Sequence, residues 1–144
     1  MNNCSISFKA RATGPDLHLC AYVNNTMIFS DILKENKSII IASALDDSVA
    51  KTNTLRIVMT GKTFDHTKLD ADGNIISDCV IEISDLSLDS IELGTIFHEL
   101  STYTHNYNGT AELIKQQFYG LMGCNGSVEF EFTSPVYAWL LENA

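Results

Sequence analysis

The stretch that decides the fold is Asn53-Thr54-Leu55-Arg56-Ile57-Val58-Met59-Thr60, followed by the loop Thr63-Phe64-Asp65-His66-Thr67-Lys68-Leu69-Asp70-Ala71-Asp72-Gly73-Asn74 and a second run from Cys79 to Leu93. Leu55, Ile57 and Met59 fall on one side of an extended chain, Arg56 and Val58 on the other. This period of two is the mark of a half-buried strand. Past the acidic loop, Val80, Ile81, Ile83, Leu86, Leu88, Ile91 and Leu93 continue the pattern, with a slip of phase near Asp85 that predicts a bulge. Strand, acidic loop, strand is the layout of an antiparallel β-sandwich.

The same period extends outward. Ile6, Phe8 and Ala10 alternate with Ser5, Ser7, Lys9 and Arg11. Leu17, Leu19 and Ala21 alternate with His18, Cys20 and Tyr22, and Val23-Asn24-Asn25-Thr26-Met27 predicts a tight hairpin. Ile39-Ile40-Ile41 predicts a buried strand. Val128, Phe130 and Phe132 alternate with Glu129 and Glu131 until Pro135, and Val136 to Leu141 makes a last apolar element around Trp139. One segment differs: Ile114, Phe118 and Leu121 share a helical face, with Gly120 and Gly123 as stops, which predicts one short α-helix near residues 111–120. The expectation is a mainly β, single-domain chain over residues 1–144, a sandwich of jelly-roll type.

Lys and Arg total 9 and Asp and Glu total 18, so the net charge is 9 − 18 = −9. A chain this acidic lacks the basic face that tracks nucleic-acid phosphates and does not suit anionic lipid. No apolar run approaches the ~20 residues that span a membrane. The opening Met1-Asn2-Asn3-Cys4 has no secretory-signal pattern, and Cys4, Cys20, Cys79 and Cys124 form no C-x-x-C pair, so they are expected as reduced thiols in a cytosol-made protein. Cys20 and Cys79 are expected as small core residues.

Asp65, Asp70, Asp72 and Asp78, with Asn74 among them, are the leading candidate site. A hard cation such as calcium takes six to eight oxygens, mostly carboxylates and carbonyls. The alternative is a solvated acidic hairpin turning on Asp72-Gly73-Asn74. A helix-loop-helix calcium loop does not fit: counted from Asp70, Gly73 falls at position 4 instead of 6, and Ile81 stands at position 12 where the loop needs a glutamate. Gly61-Lys62-Thr63 lacks the first glycine of a P-loop, and His98-Glu99 lacks the second histidine of H-E-x-x-H. No nucleophile elbow is present, so an enzyme is not expected. Tyr103 and Tyr107, in a polar segment, are candidates for partner or ligand contact, with a place in the core as the alternative.

Residues 53–60, the acidic loop and Asp78-Cys79-Val80-Ile81-Glu82-Ile83 together resemble the calcium-dependent xylan-binding carbohydrate-binding modules, as does the hairpin Leu19-Cys20-Ala21-Tyr22-Val23-Asn24-Asn25. The resemblance implies calcium at Asp65, Asp70, Asp72 and Asp78, contacting sugar hydroxyls. The chain departs from that family where an Asp-Arg-Asn-Leu-Tyr element becomes Asp78-Cys79-Val80-Ile81. The segments Tyr119–Ser127 and Pro135–Asn143 look like small β-sandwich proteins of tailed phages of aquatic bacteria. That likeness implies a non-enzymatic virion component, a capsid decoration or a tail, neck or fibre part. It would be made in the host cytoplasm and assembled symmetrically in many copies with other virion proteins. The alternative function is a calcium-dependent carbohydrate-binding module meeting host surface glycans.

Overall fold

The computed structural model describes residues 3–143. Strands β1 (Asn3–Ala12), β2 (His18–Val23), β3 (Thr26–Ile32), β4 (Ile39–Asp46) and β5 (Lys51–Thr60) come first. A single 3-10 turn (Phe64–His66) and the small strands β6 (Lys68–Leu69) and β7 (Ile75–Ser77) form the acidic loop. Next come β8 (Ile81–Leu88), β9 (Ile91–Glu92), helix α1 (Thr95–Leu100), β10 (Ser101–His105) and β11 (Ile114–Gln117). The chain ends with β12 (Leu121–Met122), β13 (Gly126–Ser134) and helix α2 (Val136–Asn143).

Two antiparallel sheets form the layers. One has the order β12-β8-β1-β4, with β9 beside β8; the other is the six-stranded β11-β10-β13-β5-β2-β3. The alternation read from the sequence sets which side chains meet between them. Cys4, Ile6, Phe8, Ala10 and Ala12 of β1 face Leu55, Ile57 and Met59 of β5 and Val128, Phe130 and Phe132 of β13 across one buried cluster. Their partners in sequence point to water, the arrangement expected when each sheet wets one side. Asn24 (φ 50°) and Asn25 (φ 67°) make the β2–β3 turn, a left-handed pair that matches the twist of the strands. The expected phase slip is real: β1 and β8 shift register between Ser7 and Lys9, and Asp85 takes φ 56°. At Gly126 a β-carbon would lie 2.3 Å from the Thr104 carbonyl oxygen, so only glycine lets β13 start this close to β10.

Three expectations are corrected. Residues 111–120 are not helical: Ile114–Gln117 is the edge strand β11, paired from Thr102↔Gln117 to His105↔Ile114. The unfilled hydrogen-bonding edge of β10 outweighs the helix propensity of so short a segment. Phe118 does enter the core, but Leu121 is exposed. The helices are instead α1, which buries Phe97, and α2, which buries Val136 and Trp139. Asp47 caps α2 from the β4–β5 link, its Oδ1 accepting the Val136 N–H at 2.8 Å. Trp139 then lies edge-on to Phe130, ring centroids 5.8 Å apart. Of Ile39-Ile40-Ile41 only Ile41 is buried, because β4 is an edge strand with one wet face. Cys20 is not a core residue; it lies half-buried on the outer face of the six-stranded sheet.

Candidate functional site

Two regions compete for a site: the acidic arm between β5 and β8, and the outer face of the six-stranded sheet.

The arm is built on a buried lysine. Lys62 follows directly on β5 and Gly61, and its side chain is 2% exposed. Its Nζ meets Asp78 Oδ1 at 2.7 Å and donates to the Gly123 carbonyl. Its backbone N–H donates to Asn125 Oδ1 and its carbonyl accepts from Asn125 Nδ2, each at 2.9 Å. Asp78 also accepts from the Thr67 hydroxyl (2.8 Å) and from the Cys79 N–H (2.8 Å). Partial burial works to raise the Asp78 pKa, but the Lys62 and Thr67 hydrogen bonds outweigh it and hold the carboxyl below its ordinary range. Asp70 closes the turn of the β6–β7 hairpin. Its Oδ1 accepts the N–H groups of Asp72 and Asn74, both at 2.9 Å, and the backbone bond from Asn74 is the main cause of its lowered pKa. Gly73 (φ 84°) supplies the left-handed residue there. Asp65 and Asp72 are exposed. His66 pins the 3-10 turn: its Nδ1 accepts the Thr63 N–H (2.9 Å) while Nε2 donates to the Pro15 carbonyl (2.6 Å).

The four aspartates therefore do not converge. Among the described residues, no group of three or more His, Cys, Asp or Glu side chains is placed to hold a metal ion. Asp78 is neutralised by an ammonium, and Asp70 is spent on its own turn. In this arrangement the four carboxylates form no shared cage for a hard cation. Tyr103 is likewise not a contact residue. It is 3% exposed, its hydroxyl donates to the Cys124 carbonyl and accepts the Cys124 N–H (2.9 Å), and burial pushes its pKa up to about 12. Together with Lys62 it fastens the strap Gly123–Asn125 to the sandwich. Tyr107 is 50% exposed at the β10–β11 turn, its ring edge-on to that of His105.

The outer face of the six-stranded sheet is organised differently. Register places Glu129 of β13 opposite Arg56 of β5, Glu131 opposite Thr54, and Arg56 opposite Tyr22 of β2. Arg56 lies over the Tyr22 ring, 5.6 Å from its centroid. At the end of these strands, a trough of about 490 Å³ runs between Glu129 and Glu131, the β5 residues Lys51 to Arg56, and the hairpin residues Asn24 and Asn25. Asn24 is fixed: its Oδ1 accepts the Thr54 N–H and its Nδ2 donates to buried Asn53, both at 2.9 Å. Glu129, Glu131 and Arg56 are exposed, and none joins an ion pair among the described residues. The floor thus offers two carboxylates and a guanidinium within a rigid strand lattice, beside a half-buried aromatic ring. Sequence reading passed over it, because alternating Glu and Arg on a strand look like any wet face. The signal is a single cross-strand pair of opposite charge, Glu129 of β13 against Arg56 of β5.

No protein-family model matches the sequence, and no curated protein matches it. Two solved structures do. One is vCBM60 in complex with galactobiose, at TM-score 0.51 and 15% identity, covering 88% of this chain and 96% of that one. The other is a selenomethionine form of vCBM60, described as part of an evolutionary link, by circular permutation, between two families of calcium-dependent carbohydrate-binding modules. It matches at TM-score 0.56 and 12% identity, covering 88% of this chain and 89% of that one. The chain has the β-sandwich fold of these carbohydrate-binding modules.

Proposed function

We propose that this chain is a non-catalytic carbohydrate-binding module that takes its glycan in the trough on the outer face of the six-stranded sheet. The observation that carries the reading is the floor of that trough. Glu129 and Glu131 are open acceptors, and Arg56, held over the Tyr22 ring, is an open donor. Carboxylates and guanidinium groups make the strong, paired hydrogen bonds that vicinal hydroxyls need. The likeness of fold to vCBM60 supports this reading, and galactobiose is the natural first probe because that module binds it. The structural neighbours favour this glycan-binding alternative over the virion role expected from the sequence.

The test is calorimetric titration with galactobiose and a glycan array, each run with calcium and with chelator. Binding that persists in chelator and is lost in the Glu129→Gln/Glu131→Gln double variant is the expected result. Binding lost on chelation and on Asp70→Ala, with the trough variant unaffected, would move the site to the arm. No binding to any arrayed glycan would sink the function.

A further inference from the structure

A second constellation lies on the same outer face, towards the opposite end of β2, and the glycan reading makes no use of it. His18 and Cys20 are two residues apart on β2 and so share a face. Register sets Thr60 of β5 opposite His18 and Ser30 of β3 opposite Cys20, so four polar side chains meet in one patch. Side chains two apart on a strand ordinarily stand roughly 6–7 Å from each other. Here Cys20 Sγ and His18 Nδ1 lean together to 3.6 Å. Ser30 Oγ lies 3.2 Å from His18 Nε2 and 3.4 Å from Cys20 Sγ. Thr60 Oγ1 lies 3.4 Å from His18 Nδ1.

That spacing is a hydrogen-bond distance between thiol and imidazole, and it is also one that a single zinc ion can bridge. Zinc bonds a thiolate at about 2.3 Å and an imidazole nitrogen at about 2.0–2.1 Å, and a tetrahedral angle between them sets sulfur and nitrogen about 3.5–3.6 Å apart. The ring is also held for the task. With Nε2–H donating to Ser30 Oγ, the Nδ1 lone pair faces the sulfur, the outer-shell support that ligating histidines usually have. We propose that His18 Nδ1 and Cys20 Sγ form a two-ligand site for a borderline-soft divalent cation of the zinc class, with the remaining coordination positions open to solvent. Thiolate and imidazole select such ions over calcium and magnesium. The chain's net charge of −9 favours any cation at its surface.

Cobalt(II) reports directly on this geometry, because thiolate ligation gives a near-ultraviolet charge-transfer band and a tetrahedral shell gives strong visible bands. The full chain, kept reduced with a non-thiol reductant, is titrated with cobalt and then back-titrated with zinc. The expected result is one cobalt per chain, displaced by zinc and not by calcium. Cys20→Ser removes the charge-transfer band, His18→Ala weakens binding at least about tenfold, and Ser30→Ala weakens it roughly tenfold through loss of ring support. Cys79→Ser and Cys124→Ser leave the spectrum unchanged. His18, Cys20 and Ser30 all lie on a wet face, so thermal melts confirm that each variant is folded. No band at millimolar cobalt, or a band that survives Cys20→Ser, overturns the site. Neither readout involves a sugar, so the result stands apart from the glycan proposal.

Discussion

The acidic arm and the outer sheet face carry similar side chains and use them in opposite ways. In the arm, Asp78 and Asp70 spend their lone pairs on Lys62, Thr67 and nearby backbone N–H groups. On the face, Glu129 and Glu131 stand on a strand whose backbone is already satisfied by its neighbours, so their carboxylates remain for a ligand. A loop must supply its own hydrogen-bond partners and recruits its acids to do so. A sheet has no such need. In this chain, density of acid in sequence therefore marks where structure is made, and sparse, opposed charges mark where binding is possible.

The sharpest way to break this comparison is at the base of the arm. Asp78→Asn leaves the Lys62 ammonium, 2% exposed, without its counter-charge. Breaking a buried pair from one side strands a charge, and here the loss is expected to be roughly 2–3 kcal/mol. Lys62→Met strands Asp78 instead, which water still reaches, and is expected to cost less than half as much. Denaturant unfolding measures both. Equal and negligible losses would mean that the arm is not anchored as described, and its aspartates would again be free for a cation.

On the face, the order of effects reverses. Glu129→Gln with Glu131→Gln is expected to change stability by less than about 0.5 kcal/mol, as exposed substitutions do. The same change is expected to weaken glycan binding at least tenfold, about 1.4 kcal/mol. A matched Asp65→Asn/Asp72→Asn variant in the arm leaves both quantities unchanged. If the arm variant alone loses the glycan, the two regions have been assigned the wrong way round.

The sandwich was legible because alternation is a property of single strands. Val128, Phe130 and Phe132 state their inward face without reference to any neighbour, and Asn24-Asn25 states its turn. What failed to show was set by partners distant in sequence. Ile114–Gln117 reads as helix until β10 offers its edge. Tyr103 reads equally as a contact or a core residue until the strap at Cys124 closes over it. Lys62 reads as part of a degenerate P-loop until Asp78 and Gly123 surround its ammonium. The trough is invisible for the same reason, since only register sets Glu129 against Arg56. Cys20 shows the converse: the alternation Leu19, Ala21, Val23 already assigns it to the outer face, and its treatment as core follows composition rather than phase.

Acid titration offers a finer separation. Asp78 has a folded pKa below its ordinary value of 3.8. In that window the unfolded chain binds more protons than the folded one, so stability rises with pH through it. The contribution of Asp78 is present in full above the unfolded value and is lost as pH falls through the lower folded one. The wild-type melting temperature should therefore fall more steeply below about pH 4 than that of Asp78→Asn. Glu129→Gln/Glu131→Gln should retain the full wild-type slope. Parallel curves for wild type and Asp78→Asn would remove Asp78 from the account of acid stability.

The smallest expected effect is the most local. Asp70 holds the β6–β7 turn through the Asp72 and Asn74 amides and lies fully in water, so its removal should not register in global stability. It should register in hydrogen exchange. In Asp70→Ala the amides of Asp72 and Asn74 lose their acceptor and should exchange faster, while those of β5 and β13 keep their wild-type rates. If added calcium slowed exchange at those two amides in the wild type, a cation would be competing for Asp70 Oδ1. The contrast between an arm spent on itself and a face left open would then fail at its weakest point.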